Sequence, residues 1–197
     1  ILNGIKTYLN LDIEYIVLNS FDIDPFFIEE DEMLERFKAQ EKFCPQFHIS
    51  LQSGSSSVLA LMRRKYNASG ARAAMERIRA AIPNVMFTTD IIVGFPGETE
   101  ENFNETVKFV KEAQFLDAHI FPYSEREGTE AANMQNKVPV PVRRERAAKL
   151  IEIQDSVRDS LLDNVIESDS VGFVGSVLFQ QRGKAEHTFA GTVDIRQ

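Results

Sequence analysis

The sequence predicts an α/β protein built on a parallel sheet, followed by a small β-rich domain. Three observations predict it. Short apolar runs alternate four times with helical patterns, as in βα units joined by right-handed crossovers. The run Ile91-Ile92-Val93 is apolar without alternation, as expected of a parallel strand covered on both faces. After about Ser168 the helical texture gives way to glycine-spaced β patterns.

Taken in order, Tyr15-Ile16-Val17-Leu18 reads as a strand, followed by the acidic turn Asp22-Ile23-Asp24-Pro25 and a helical pattern through Phe27, Met33, Leu34 and Phe37. Pro45 restarts the chain as the strand Phe47-His48-Ile49-Ser50-Leu51, which runs into the small polar loop Gln52-Ser53-Gly54-Ser55-Ser56. A helix with Val58, Leu59, Leu61 and Met62 comes next. Ser69 is placed to cap a second helix, whose Ala71, Ala74, Met75, Ile78, Ala81 and Ile82 recur at three-four spacing until Pro83. The chain is strand again from Phe87. Thr99 is placed to cap the helix after it, with Glu100 and Glu101 favourable to the dipole and Phe103, Val107 and Val110 on one face. His119-Ile120-Phe121 is a further strand. Pro139 and Pro141 introduce a long helix with the stripe Ala147, Leu150, Ile151, Val157, Leu161 and Val165. The tail holds two β patterns, Val171 to Phe179 and Thr188 to Val193, separated by a polar hairpin-like spacer.

With 197 residues, 43% of them hydrophobic, the chain is long enough to bury a sizeable core. Its formal net charge of −8 supplies no whole-molecule basic field, so any RNA contact must be local. One cysteine, Cys44, excludes an intrachain disulfide framework and any multi-cysteine metal or cluster site built from this chain alone, and points to a reducing cytoplasm. No apolar run approaches the ~20 residues of a membrane helix, so no membrane partner is expected. Ile1 is not an initiator methionine and Gln197 follows a strand-like run with no stop signal, so both ends read as cut.

Parallel α/β sheets hold ligands at the carboxyl ends of their strands, so the loops after Leu51, Val93 and Phe121 are expected to face one cleft. Gln52-Ser53-Gly54-Ser55 offers an amide, hydroxyls and free N–H groups, which suit ribose hydroxyls or a carboxylate; the plainer alternative is a serine-rich helix cap. In Gly94-Phe95-Pro96-Gly97-Glu98-Thr99 the glycine lets backbone approach a ligand, and a well-capped βα turn explains the loop as readily. Asp90, amid apolar neighbours, needs a partner: a polar ligand, or an arginine or backbone group. The loop from Phe121 through Tyr123 to Thr129 mixes aromatics with hydroxyls, as a purine-stacking loop does, and so does many an ordinary loop. His48 and His119 are lone strand histidines that read first as core residues, and Arg63, Arg64 and Lys65 as a solvated helix end. No nucleophile-base triad is present, which leaves hydrolase readings weak.

In this order, HISLQSGSSSVLALMRRKY, TDIIVGFPGETEENF and HIFPYSEREGTEAA resemble the second half of the radical S-adenosylmethionine methylthiotransferases, over about Leu11 to Val165. The resemblance implies a partial (β/α) TIM-like barrel of the radical SAM type over 1–167 and the truncated opening of a TRAM β-barrel, which binds substrate RNA, over 168–197. Members of the family use S-adenosylmethionine and two [4Fe-4S] clusters to insert a methylthio group into adenosine-37 derivatives beside the tRNA anticodon, or into a ribosomal protein. The resemblance implies a full enzyme that makes a 5′-deoxyadenosyl radical, removes hydrogen from the adenine carbon and transfers sulfur.

The QSG after Leu51 resembles the tRNA-acting branches, which makes the tRNA anticodon loop the expected partner. The wording FHISLQSG with HIFPYSEREGT is most similar to the branch acting on N6-threonylcarbamoyladenosine, with the isopentenyladenosine branch as runner-up. Carried over by position, Gln52 and Ser53 would contact the ribose or amino-acid part of S-adenosylmethionine, while Val93, Gly94 and Phe95 would flank its adenine. Phe121 and Tyr123 would close that pocket. Arg64 falls on the arginine of the M-x-R-x-Y pattern, between Met62 and Tyr66, and with Asp90 is a candidate for substrate or anion binding. The chain departs from the family in lacking the CxxxCxxC loop and the N-terminal cluster-binding cysteines, and its early strand Tyr15 to Ser20 lacks the usual arginines. By itself the fragment is therefore expected to assemble no cluster and to be inert. Rival expectations are a different radical SAM enzyme and a non-catalytic RNA-binding module acting through the β-rich tail.

Overall fold

The computed structural model describes residues 16–21, 34–35, 37, 39, 43–168, 176–182 and 189–194. The expected acidic turn at Asp22 to Pro25, the helical positions Phe27 and Met33, the stretch Val171 to Gly175 and the polar spacer 183–188 lie outside the described residues. The chain divides into two compact units, Ile1–Leu161 and Leu162–Gln197.

Four strands of the first unit form one sheet: β1 (Ile16–Phe21), β2 (Phe43–Gln52), β3 (Met86–Val93) and β4 (Asp117–Pro122). They lie in the order β1-β2-β3-β4 and every adjacent pair is parallel, as the βα alternation predicts. The connections carry α1 (Ser56–Leu61) and α2 (Ala68–Ala81) between β2 and β3, and α3 (Glu100–Ala113) between β3 and β4. A short α4 (Glu130–Asn133) and the long α5 (Val140–Ser168) follow.

The pleat decides what this sheet does. In β3 the side chains of Phe87, Thr89, Ile91 and Val93 are buried, and those between them are only half-buried. Phe47, Ile49 and Leu51 of β2 are likewise buried, with His48, Ser50 and Gln52 on the opposite side. The buried face carries the helices. One apolar cluster joins Phe47, Ile49, Leu51 and Phe87 to Met75 and Ile78 of α2 and Phe109 of α3; another joins Ile91 and Val93 to Phe103 and Val110 of α3 and Ala147 and Leu150 of α5. The expectation that Ile91-Ile92-Val93 is covered on both faces is thus corrected among the described residues: Ile92 stays half-exposed because the described helices pack on the other side. Ile151, expected in the α5 stripe, is exposed.

Local choices explain the element ends. Helix α2 begins two residues earlier than a Ser69 cap allows, because Asn67 is the N-cap and its Oδ1 accepts from the Gly70 N–H at 2.8 Å. Ser69 instead donates its hydroxyl to that same oxygen. Thr99 caps α3 as expected, in a reciprocal box with Asn102. Helix α1 closes with Arg63 in the left-handed region (φ 57°), its N–H donating to the Ala60 carbonyl and that of Arg64 to the Leu59 carbonyl.

The second unit holds β5 (Ser176–Arg182) and β6 (Phe189–Asp194), an antiparallel pair, where β patterns are expected.

Candidate cofactor cleft

The half-exposed sheet face and the loops at the carboxyl ends of β2, β3 and β4 enclose two adjoining recesses of about 640 and 560 Å³. Gln52, Ile92 and Ala131 line both. The first adds Met62, Arg63, Arg64, Phe95 and Met134; the second adds Asp90, Phe121, Tyr123, Ser124, Arg126 and Thr129.

Gln52 ends β2 at φ 69°, a left-handed conformation that a residue with a side chain adopts at a cost of about 1 kcal/mol. The β2–β3 register breaks between Ile49 and Gln52, and the bulge aims this side chain into the cleft. Below it, Tyr66 donates its hydroxyl to the Ser50 carbonyl at 2.5 Å and to the Leu51 carbonyl at 3.2 Å, tying the α1–α2 connection to the strand end. The turn after α1 brings Arg64 to the first recess, where its guanidinium makes no ion pair or hydrogen bond among the described residues. Phe95 meets Tyr123 edge-on at 5.2 Å, so the β3 and β4 loops touch through their aromatics. Phe121 stands 52% exposed at the mouth of the second recess.

Gln52, Arg64, Asp90, Phe95, Phe121 and Tyr123 therefore come together. Three other sequence candidates do not present their side chains there. Ser53 is fully buried, with its Oγ 3.3 Å from Thr106 Oγ1 and accepting from the Ser55 N–H. Val93 is buried in the helix-side cluster, and its carbonyl accepts from the Tyr123 N–H at 2.8 Å. Gly94, at φ 74°, donates its N–H to Glu98 Oε1 at 2.8 Å and lies against Arg143.

The structure also answers what Asp90 pairs with, and the answer is neither an arginine nor a backbone group. Its Oδ2 lies 3.2 Å from His48 Nε2 and its Oδ1 lies 3.1 Å from His119 Nδ1. A carboxylate accepts, so each imidazole turns an N–H toward it. In the neutral ring this leaves His48 Nδ1 to accept from Thr88 Oγ1, 3.0 Å away. The histidines read in sequence as core residues are thus a polar layer on the half-exposed face. Their meeting depends on register, which pairs His48 with Thr88 and Asp90 with His119. Alternation would have put each on the polar side of its own strand, but nothing in the sequence aligns the strands.

Sequence reasoning also missed Glu98, Arg143 and Arg146. Glu98 is buried, and Arg146 Nη1 donates to its Oε1 at 2.7 Å. Burial pushes the Glu98 carboxyl above the ordinary carboxylate range, opposed by the Gly94 N–H and the Arg146 guanidinium. At the surface Glu125 is held below that range by hydrogen bonds from Lys137 and Arg143.

The family model described as "Radical SAM superfamily" matches residues 4–110, more than half of the chain. The chain belongs to the radical SAM superfamily. A tRNA-2-methylthio-N(6)-dimethylallyladenosine synthase of Symbiobacterium thermophilum is 40% identical over 173 residues, covering 84% of this chain and 37% of the relative. The protein of that name from Nocardia farcinica is 47% identical over 127 residues, 64% of this chain and 25% of the relative. A threonylcarbamoyladenosine tRNA methylthiotransferase of Bacillus subtilis is 38% identical over 164 residues, 83% of this chain and 36% of the relative. This radical SAM chain thus spans roughly a quarter to two fifths of the length of these relatives.

Two groups belong to such enzymes, and this chain fits them differently. The two adjoining recesses, each in the 300–1,000 Å³ range of small-molecule sites, together present the Gln52 amide, the rings of Phe95, Phe121 and Tyr123 and the Arg64 guanidinium, unpaired among the described residues, and that set fits S-adenosylmethionine. Iron–sulfur clusters are held by several thiolates, and one cysteine does not make that donor set. Among the described residues no group of three or more His, Cys, Asp or Glu is arranged to hold a metal. No described helix is long and apolar enough to cross a membrane.

Proposed function

We propose that this chain is the cofactor-binding part of a tRNA methylthiotransferase acting on an adenosine-37 derivative, N6-threonylcarbamoyladenosine first. The observation that carries the proposal is the convergence of Gln52, Arg64, Phe95, Phe121 and Tyr123 on one cleft at the carboxyl ends of a parallel sheet, in a radical SAM chain whose relatives are named for this reaction. S-adenosylmethionine, when bound, supplies a sulfonium whose carbon–sulfur bond is broken by an electron from outside this chain.

The chain's own residues bind and orient. Phe95, Phe121 and Tyr123 offer aromatic surface to the adenine, and the Gln52 amide a donor and an acceptor to the ribose or amino-acid part. Arg64 supplies a planar cation for the carboxylate. Ser53, fully buried behind the loop, supports Gln52 through the loop's shape. Val93 and Gly94 act through the backbone that carries Phe95. Asp90, held between His48 and His119, keeps a polar floor under the cleft. The first unit is the C-terminal part of a partial (β/α) barrel, and the β5–β6 pair opens a TRAM-like domain that contacts the tRNA. The chain alone is inert, since two [4Fe-4S] clusters need cysteines it does not carry, and the setting is cytoplasmic.

The dimethylallyladenosine (isopentenyladenosine) branch is the second reading, favoured by relatives of 40% and 47% identity. One experiment separates them. The complete reading frame containing this chain is expressed in bacteria lacking tRNA methylthiolation, and the tRNA nucleosides are resolved by mass spectrometry. We expect the 2-methylthio form of N6-threonylcarbamoyladenosine. The 2-methylthio form of the isopentenyl nucleoside would establish the second reading, and neither product would overturn both.

A further inference from the structure

Helix α5 buries two cations one turn apart, the Arg143 and Arg146 side chains being 6% and 9% exposed. Burying a guanidinium is costly unless its donors are met, and a buried ion pair by itself is weak evidence of stabilisation. Ala147 and Leu150 already attach this helix to the sheet. The arginines are therefore best understood from where their forks point. Arg146 donates to the Glu98 carbonyl at 3.3 Å, to Glu98 Oε1 at 2.7 Å and to Glu100 Oε2 at 3.0 Å, so it grips the β3 loop. Glu98 Oε1 passes that grip to the Gly94 N–H. Arg143 donates to the Val138 carbonyl at 2.6 Å, the Tyr123 carbonyl at 3.0 Å and Glu125 Oε1 at 3.2 Å, and its guanidinium lies over the Tyr123 ring at 5.2 Å. It grips the β4 loop. Its stem also presses on Gly94, where a Cβ would come within 2.5 Å of Arg143 Cγ.

We infer that Arg143 and Arg146 are positioning residues, a two-armed clamp on α5 that fixes the spacing of the β3 and β4 loops and so the placement of the touching Phe95 and Tyr123 rings in the cleft wall. The clamp stands on the hydrogen bonds above. Its consequence for ligand affinity rests on the cofactor reading proposed above.

Amide hydrogen exchange on this chain tests the clamp, and titration with S-adenosylhomocysteine tests the consequence. Arg146→Ala is expected to speed exchange of the Gly94 amide at least tenfold, and Arg143→Ala that of the Tyr123 amide, with the β2 amides of Phe47 to Leu51 unchanged. Arg146→Lys is expected not to rescue, since one ammonium cannot span Glu98 and Glu100 as the fork does. Where Arg146→Ala does not fold, Arg146→Met, which keeps an apolar stem and removes the fork, takes its place with the same expectation at the Gly94 amide. If wild-type chain binds S-adenosylhomocysteine, Arg146→Ala should weaken it at least tenfold. Localised exchange without wild-type binding supports the clamp and removes the cofactor reading. Equal acceleration across β2 and the loops, or no change at Gly94 and Tyr123, overturns the clamp whatever the ligand does.

Discussion

Gly94 shows how one residue type serves two demands. Its φ of 74° favours a residue without a side chain, and its open Cα lets the α5 backbone come close, with Arg143 Cα 3.3 Å from where a Cβ would sit. Gly94→Ala should cost more than strain alone, about 2–4 kcal/mol from backbone and overpacking together. Gly128 has a similar φ of 81° and nothing within 4 Å, so Gly128→Ala should cost only about 1 kcal/mol. Urea unfolding of the two variants separates backbone from packing. Glu98 makes a prediction of opposite character. Burial raises its carboxyl above the unfolded value, so between those two values the folded chain binds more protons. The stability this group contributes is full below the ordinary glutamate value and is lost as pH rises through the raised one. The urea midpoint of the wild type relative to Glu98→Gln should therefore fall across that window, and a flat difference would contradict the burial account.

At the scale of elements, patterns within one segment were legible and relations between segments were not. The Thr99 cap of α3 and the three-four stripe of α2 lie within a few residues of sequence, and both appear in the structure, which adds Asn102 as the reciprocal partner of Thr99. The α2 cap was misplaced by two residues because Asn67 and Ser69 are both good caps, and only the geometry shows which oxygen reaches Gly70. Asn67→Ala should cost about 1 kcal/mol and Ser69→Ala less than half of that, read from thermal melts. The reverse order would restore the sequence expectation. The Asp90 layer and the Arg146–Glu98 pair join residues 29 to 48 positions apart, through register and helix packing that no local pattern encodes. Even the apolar run of β3 misled, since Ile92 is apolar and yet lines the cleft.

At the scale of the molecule, strand-helix alternation was enough to predict a parallel sheet and the strand ends that bear the cleft. What alternation could not supply was which face stays open. That face matters most, because on it the polar floor of His48, Asp90 and His119 meets the loops carrying Phe95 and Tyr123. The account's central claim is that this cleft receives the adenosyl and amino-acid portions of S-adenosylmethionine. The most direct measurement is amide chemical-shift mapping of the isotope-labelled chain titrated with S-adenosylhomocysteine, which detects even millimolar binding. Saturable shifts at Gln52, Arg64, Phe95 and Tyr123, absent from the far end of α2 around Ile78, are predicted. No shifts at millimolar ligand, or shifts clustered away from the cleft, would contradict it.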